Sequence, residues 1–172
     1  MTTKPVLLVS LLLAALAWAG DAPKTARPAV DAAAAFERLK TLAGEWEADT
    51  QAGKAHLSYE LIANGTSLVE KESGGIMQPM LTVYHLDGKR LILQHYCMVG
   101  NQPRMQAQAF DPAGGTLDFR FLDATNLASP AAGHMHNAHF RFVDSNHLET
   151  SWEFYENGKK KFGETATYTR VR

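Results

Sequence analysis

From Trp46 to the carboxyl terminus, hydrophobic and polar residues alternate along the chain in short segments. Alternation with a period of two places successive side chains on opposite faces of a β-strand, and segments of this kind at regular spacing are typical of all-β sandwiches and barrels. The pattern predicts ten strands, at about residues 45–50, 54–63, 66–73, 80–87, 90–99, 104–110, 115–123, 133–143, 146–156 and 160–171.

Turn-forming residues separate the predicted strands. Asn64-Gly65, Asp87-Gly88 and Asn157-Gly158 each stand between two alternating segments, and these dipeptides favour tight β-hairpins. Consecutive antiparallel strands with short connections predict an up-and-down barrel, whose closure leaves no exposed edge. A two-sheet sandwich is the alternative. The fold class that we predict is therefore all-β, an antiparallel barrel of about ten strands.

The two ends of such a barrel differ in their connections. The connections after the second, fourth, sixth and eighth strands are tight turns, whereas those after the odd-numbered strands include the longest in the chain. Successive connections of a meander alternate between the two ends. We therefore expect one end closed by hairpins and one open end, the mouth, surrounded by longer loops.

One short helix is predicted before the strands. Asp31 is a suitable N-cap, and Phe36, Leu39 and Ala43 recur at helical spacing before Gly44. Because this helix leads into the first strand at the hairpin end, we expect it to close that end of the barrel.

The amino-terminal residues have a different composition. Lys4 precedes an apolar run that ends in the sequence Ala-Trp-Ala at Ala19, which is typical of a secretory signal and its cleavage site. The run is short for a membrane span, which needs about 20 apolar residues; an uncleaved anchor is the alternative. We predict a signal peptide over 1–19, a flexible leader over 20–30 and one barrel domain over 31–172, in a secreted or periplasmic protein without a membrane span after cleavage.

Composition limits the partners and the covalent chemistry. The chain has 17 Lys and Arg against 18 Asp and Glu and contains no basic run, so we expect no nucleic-acid partner. Cys97 is the only cysteine, so an exported protein of this sequence has no internal disulfide. The sequence does not indicate an oligomeric state.

The segment LAGEWEA, Leu42 to Ala48, resembles the Gly-x-Trp opening of lipocalin-like, or calycin, barrels. The resemblance implies that a basic residue of the last strand packs over this tryptophan, which gives Trp46 and Arg170 a structural role. The segments HYCMVGNQPRM and HMH resemble a group of exported bacterial proteins of uncharacterised function, over about residues 36 to 172. The ten-strand count resembles that of fatty-acid-binding proteins and haem-binding nitrobindins more than that of eight-strand lipocalins. The resemblance implies a cavity for a small ligand and no particular reaction.

Strand parity predicts which side chains face the interior. On the eighth strand, His134 and His136 share a face with Phe140, while His139 lies on the other face. The face with phenylalanine is the better core candidate, so we expect the first two histidines to point inward. On the fifth strand, the same reasoning favours the face of Leu93, His95 and Cys97.

The strand directions place several of these polar residues at the mouth, above apolar walls that include Leu93, Phe140, Trp152 and Phe154. Polar groups that converge above an apolar pocket are the usual arrangement of a small-molecule site. We therefore predict that the barrel binds a small hydrophobic or amphipathic molecule without a cofactor. The predicted ligand-binding residues are His95, Asn101, Arg104, His134, His136 and Trp152.

Other functions use the same histidines. His134 and His136 lie about 7 Å apart on one strand face, a spacing that can chelate zinc with a further ligand. One inward histidine could also be an axial ligand of haem. The alternatives are thus a metal- or haem-binding protein, or a non-hydrolytic enzyme, that uses His95, His134 and His136. Binding is favoured over catalysis, and a structural barrel with a filled interior is the remaining alternative.

Overall fold

Ten antiparallel strands form a closed barrel in the computed structural model, which describes residues 30–51, 53–75 and 77–171. The predicted signal peptide and all of the predicted leader but residue 30 lie outside the described residues. The strands are β1 Gly44–Thr50, β2 Gly53–Ile62, β3 Ser67–Gly74, β4 Met77–Asp87, β5 Arg90–Tyr96, β6 Gln102–Asp111, β7 Thr116–Thr125, β8 His134–Phe142, β9 His147–Glu156 and β10 Lys159–Arg170.

Each strand pairs with the next strand along the chain, and β1 pairs with β10 to close the barrel. The predicted all-β, up-and-down barrel is therefore confirmed, and it is compatible with a lipocalin-like fold. The predicted fifth strand is too long. In the structure β5 ends at Tyr96, because the chain turns after this residue. The Gly100 N–H donates a hydrogen bond to the Cys97 carbonyl in that turn.

One α-helix, α1 (Ala32–Lys40), precedes the strands in the described part of the chain. Its N-cap is Asp31, whose side chain accepts a hydrogen bond from the Ala34 N–H at 2.9 Å. Phe36 and Leu39 are buried, the helix contacts β4 and β5, and Arg38 packs on the ring of Phe142, where the hairpin between β8 and β9 begins. It therefore packs at the hairpin end, as predicted. None of the described residues forms a helix with the length and apolar character that a membrane span requires.

Arg170 lies beside Trp46 at the same end, where β10 meets β1. The guanidinium carbon is 4.1 Å from the centre of the indole ring, a cation–π contact. The guanidinium also donates hydrogen bonds to the carbonyl oxygens of Ala43, Thr41 and Ser145, at 2.7, 2.7 and 2.9 Å. The contact that the sequence resemblance implied is thus present, and it joins the last strand to the helix and the first strand.

Aromatic side chains fill the half of the barrel next to the helix. The ring centres of Tyr84, Phe119 and Phe140 are 5.9–6.1 Å apart, and none of the three is exposed. Leu93 and Met105 are fully buried in the same core. The Phe140 ring is 6.2 Å from that of Trp152, which lies above it toward the mouth. This aromatic core therefore forms the floor of the other half of the barrel, which leads to the mouth.

Candidate ligand-binding site

A cavity of about 180 Å³ lies between this aromatic floor and the mouth. Its walls come from seven strands, β2 to β5 and β8 to β10, and from the turn that follows β5. The apolar lining residues are Leu57, Met80, Met98, Val99, Met135, Trp152, Phe154, Phe162 and Ala166. The polar lining residues are Glu70, Glu72, His95, Cys97, Thr150, Glu164 and Tyr168.

One row of polar side chains crosses four neighbouring strands at the base of the cavity. Tyr59 of β2 pairs with Glu70 of β3, Glu70 pairs with Thr82 of β4, and Thr82 pairs with His95 of β5. Residues that are directly opposite on antiparallel strands have their side chains on the same face. All four side chains are at most 4 % exposed, so the row lies inside the barrel.

Glu70 is the centre of this row. The Tyr84 hydroxyl donates a hydrogen bond to Glu70 Oε2 at 2.6 Å. Burial raises the pKa of the Glu70 carboxyl, while the hydrogen bond from Tyr84 opposes this rise. The Tyr84 hydroxyl thus holds the carboxyl in position.

His95 ends the row and lines the cavity. Its Nδ1 is 3.0 Å from Thr82 Oγ1, and its ring centre is 5.2 Å from that of Trp152. Burial lowers the pKa of His95 to about 4, so the imidazole is neutral at pH 7. The other ring nitrogen, Nε2, is buried and has no hydrogen-bond partner among the described residues. Leaving such a group unpaired costs about 1–3 kcal/mol, and a ligand atom could supply the missing partner.

Glu72 is the next inward residue of β3 toward the mouth, opposite Leu57 and Met80. Burial, together with the charges of Glu70 and Glu164, raises its pKa to about 8. Glu72 is therefore mostly protonated at pH 7. Of the described residues that line the cavity, none is Lys or Arg, so the cavity has carboxyl groups without a basic partner.

The structure brings together some of the predicted site residues. His95 and Trp152 both line the cavity, in contact with each other, and the predicted wall residue Phe154 lines it as well. Leu93 and Phe140, which we also expected in the wall, are buried in the floor. Whether His95 and Trp152 contact a ligand stays a prediction.

The structure does not place His134 and His136 in the lining of the cavity. The register of β8 with β9 shifts between Met135 and Asn137, so that Met135, and neither histidine, pairs with Phe154 and reaches the cavity. One extra residue in a strand, a β-bulge, reverses the alternation beyond it. The two imidazoles therefore do not line the cavity, and their predicted contact with its ligand has no support from the cavity geometry.

The two imidazoles instead form a stacked cluster with neighbouring aromatic rings. The His136 ring lies between those of Phe121 and Tyr155, with ring centres 4.9 and 4.2 Å away. His134 Nδ1 donates to the Ala132 carbonyl at 2.8 Å, which leaves Nε2 to accept a hydrogen bond from His136 Nδ1 at 3.0 Å. Burial lowers the pKa of His136, and the charge of His134 lowers it further.

Asn101 and Arg104 also lie outside the lining of the cavity. Arg104 forms a bidentate ion pair with Asp123 and is largely exposed; its Nε is 2.6 Å from Asp123 Oδ1. Asn101 is buried and donates a hydrogen bond to the Gly133 carbonyl at 2.8 Å, which connects the turn after β5 with the loop before β8. The structure therefore does not join these two residues with His95 in one polar rim.

Sequence reasoning missed the three carboxyl residues of the cavity, Glu70, Glu72 and Glu164. A signal for two of them was present. The predicted strands 54–63 and 66–73, joined by a two-residue turn, pair Tyr59 with Glu70 and Leu57 with Glu72, as the structure does. Tyr59 and Leu57 alternate with Ser58 and Glu60, so their face of the strand is the better core candidate, and their partners share that face.

Apolar walls with a few buried polar groups are the usual construction of a small-molecule site. The described residues include no group of three or more His, Cys, Asp or Glu side chains that could hold a metal ion. No protein-family model matches the chain, and no curated protein sequence matches it either.

Proposed function

We propose that the protein binds a small, largely apolar molecule inside the barrel, with the polar end of that molecule directed toward His95 and the carboxyl groups. The observation that carries this proposal is the cavity of about 180 Å³ above the aromatic floor. A barrel that served only as a structural element would gain stability by filling this space, because empty volume in a core is costly.

The volume limits the size of the ligand. An apolar cavity of roughly 150 Å³ can hold benzene, whereas pockets for drug-sized molecules measure roughly 300–1,000 Å³. We infer a ligand with about one ring, or an aliphatic chain of similar volume. Trp152 and Phe154 would cover its apolar part, since both line the cavity.

The mouth offers a route of entry. Met98, Val99 and Phe162 line the cavity and are each about half exposed, at 53, 54 and 50 %. Large apolar side chains with this exposure at the rim would contact an apolar ligand before it enters. Met98 and Val99 belong to the turn after β5, and Phe162 belongs to β10.

We also infer that this barrel is of the calycin type and that the protein is exported. The contact of Arg170 with Trp46 supports the first inference. The composition of residues 1–19 supports the second. In this account the protein is a secreted or periplasmic binding protein.

Benzyl alcohol and its three-ring analogue 9-anthracenemethanol test the proposal by size. We expect benzyl alcohol to bind at one saturable site and to raise the melting temperature. At a free ligand concentration of 100 times Kd, binding should add about 2.7 kcal/mol to the free energy of unfolding. The three-ring analogue should not bind, because it exceeds the cavity. Saturation-transfer NMR and thermal unfolding measure both. Absence of saturable benzyl alcohol binding would contradict the proposal, as would equal binding of the two alcohols.

A further inference from the structure

We propose that the cavity selects a small organic cation, an ammonium group with apolar substituents, which is held by the carboxylates of Glu72 and Glu164 beside the ring of Trp152. This inference rests on the proposed binding function and specifies the chemical class of the ligand.

The first support is the position of the carboxyl groups. Glu72 of β3 and Glu164 of β10 line the cavity from two separate strands, and Glu70 lies one row deeper. Glu164 pairs with Trp152 across β10 and β9, so its side chain and the indole lie on the same inner face. No Lys or Arg of the described chain lines this cavity. A cationic ligand would supply the missing opposite charge.

The second support is an unpartnered polar group in the same cavity. His95 is 3 % exposed, and its Nε2 has no hydrogen-bond partner among the described residues. The Thr82 hydroxyl is 3.0 Å from His95 Nδ1. In the tautomer in which His95 Nδ1–H donates to this hydroxyl, Nε2 keeps a lone pair that can accept an ammonium N–H.

The third support is the aromatic lining. Trp152, Phe154, Phe162 and Tyr168 contribute rings to the wall, and Phe154 stacks on Phe162 with ring centres 4.9 Å apart. The face of an aromatic ring attracts a cation, and Trp does so most strongly. Rings therefore favour the charge of an ammonium ion and also cover its apolar substituents.

Binding of a cation would change the protonation of Glu72. Burial and the neighbouring carboxylates raise its pKa to about 8, and a nearby positive charge has the opposite effect. The ammonium ion keeps its protons, the Glu72 carboxyl loses its proton to solvent, and an ion pair forms. The titratable groups around Glu72 are Glu70 on its own strand, Tyr84 on β4, His95 on β5, Cys97 in the turn after β5, and Glu164 and Tyr168 on β10.

The test uses three probes of the same shape, benzylamine, benzyl alcohol and benzoate, titrated into the full protein at pH 7 by calorimetry. We expect benzylamine to bind about tenfold or more tightly than benzyl alcohol, because a hydrogen bond to a charged group is the stronger kind. Benzoate should not bind. Titrations in buffers with different ionisation enthalpies should show the release of up to about one proton with benzylamine.

Glu72→Gln tests the assignment of the residue. This variant should bind benzylamine no more tightly than benzyl alcohol and should release no proton. A near-ultraviolet circular dichroism spectrum like that of the wild type shows that the variant folds, and saturable binding of benzyl alcohol shows that it keeps the cavity. The matched control is Glu60→Gln, which removes an exposed carboxyl from β2 and should change none of these values.

The outcomes separate the two proposals. If benzyl alcohol binds and benzylamine binds no more tightly, the cation inference fails and the binding function stands. If benzoate binds more tightly than benzyl alcohol, the inference is also overturned. The same holds if Glu72→Gln keeps an unchanged preference for benzylamine. If none of the three probes binds at a saturable site, both proposals fail.

Discussion

The Glu72→Gln variant should be more stable than the wild type at pH 8, by about 2–4 kcal/mol, and about equally stable at pH 5. The folded protein keeps the Glu72 proton up to a pKa of about 8, whereas the ordinary value is 4.5. Between these values the folded state binds more protons than the unfolded chain, so the wild type loses stability as pH rises. Gln is neutral at every pH and does not have this loss.

The effect of Glu72 must be measured as the difference in stability between Glu72→Gln and the wild type, because His95 has the opposite effect on the pH dependence of stability. Burial lowers its pKa from 6.5 to about 4, so between these values the folded state binds fewer protons than the unfolded chain. His95 therefore makes the wild type more stable as pH rises toward 6.5, and this contribution is common to both proteins. Urea unfolding at several pH values measures the difference, with Glu60→Gln as the control for net charge. Parallel stability curves for Glu72→Gln and wild type would contradict the account.

The Ala166→Phe variant should lose the binding of benzyl alcohol by about a hundredfold or more. Ala166 is buried in the cavity wall on β10, opposite Thr150. A phenyl ring at this position would occupy the space that we assign to the ligand. Overpacking costs about 1–3 kcal/mol where no space exists, so a smaller loss of stability would itself indicate that the ring enters a cavity.

Thr167→Phe is the matched control, because Thr167 is the next residue of β10 and is exposed on the outer face. It introduces the same ring on the opposite side of the strand and should leave binding unchanged. Calorimetric titration of both variants with benzyl alcohol measures the effect. Retained affinity in Ala166→Phe, with a folded protein, would show that the ligand binds somewhere else.

The barrel could be predicted from the sequence because its determinants are local. Alternation sets the two faces of each strand, and turn residues set the connections. Asn157 and Gly158, for example, have positive φ angles of 54° and 70°, which a two-residue hairpin of this kind requires and which these residue types accept. Each connection was short enough for the order of the strands to follow from the chain.

The site could be predicted only where the alternation continues unbroken. It does so on β5 and β9, and the expected positions of His95 and Trp152 in the interior agree with the structure. On β8 the bulge between Met135 and Asn137 moves the two histidines out of the cavity lining. The sequence offers one indication of this, since Met135 is the apolar residue of that segment. A bulge depends on pairing with a neighbouring strand, which parity within one strand does not include.

The carboxyl residues were missed for a related reason. Glu70 and Glu72 alternate with Val69 and Lys71 on β3, so neither face is clearly apolar, and polarity alone would place the carboxyl groups outside. Their inward orientation follows from pairing with Tyr59 across the hairpin. Functional polar groups in a barrel are therefore better predicted from register between strands than from the pattern of each strand.

The proposed function requires a hollow upper half of the barrel that accepts a small apolar molecule. Crystals of the protein exposed to bromobenzene test this directly, because anomalous diffraction locates the bromine atom. We expect one bromine site in the cavity, with the ligand in contact, within about 4 Å, with the Trp152 indole and near Glu72. A cavity filled by protein side chains, or bromine sites confined to the outer surface, would contradict the account.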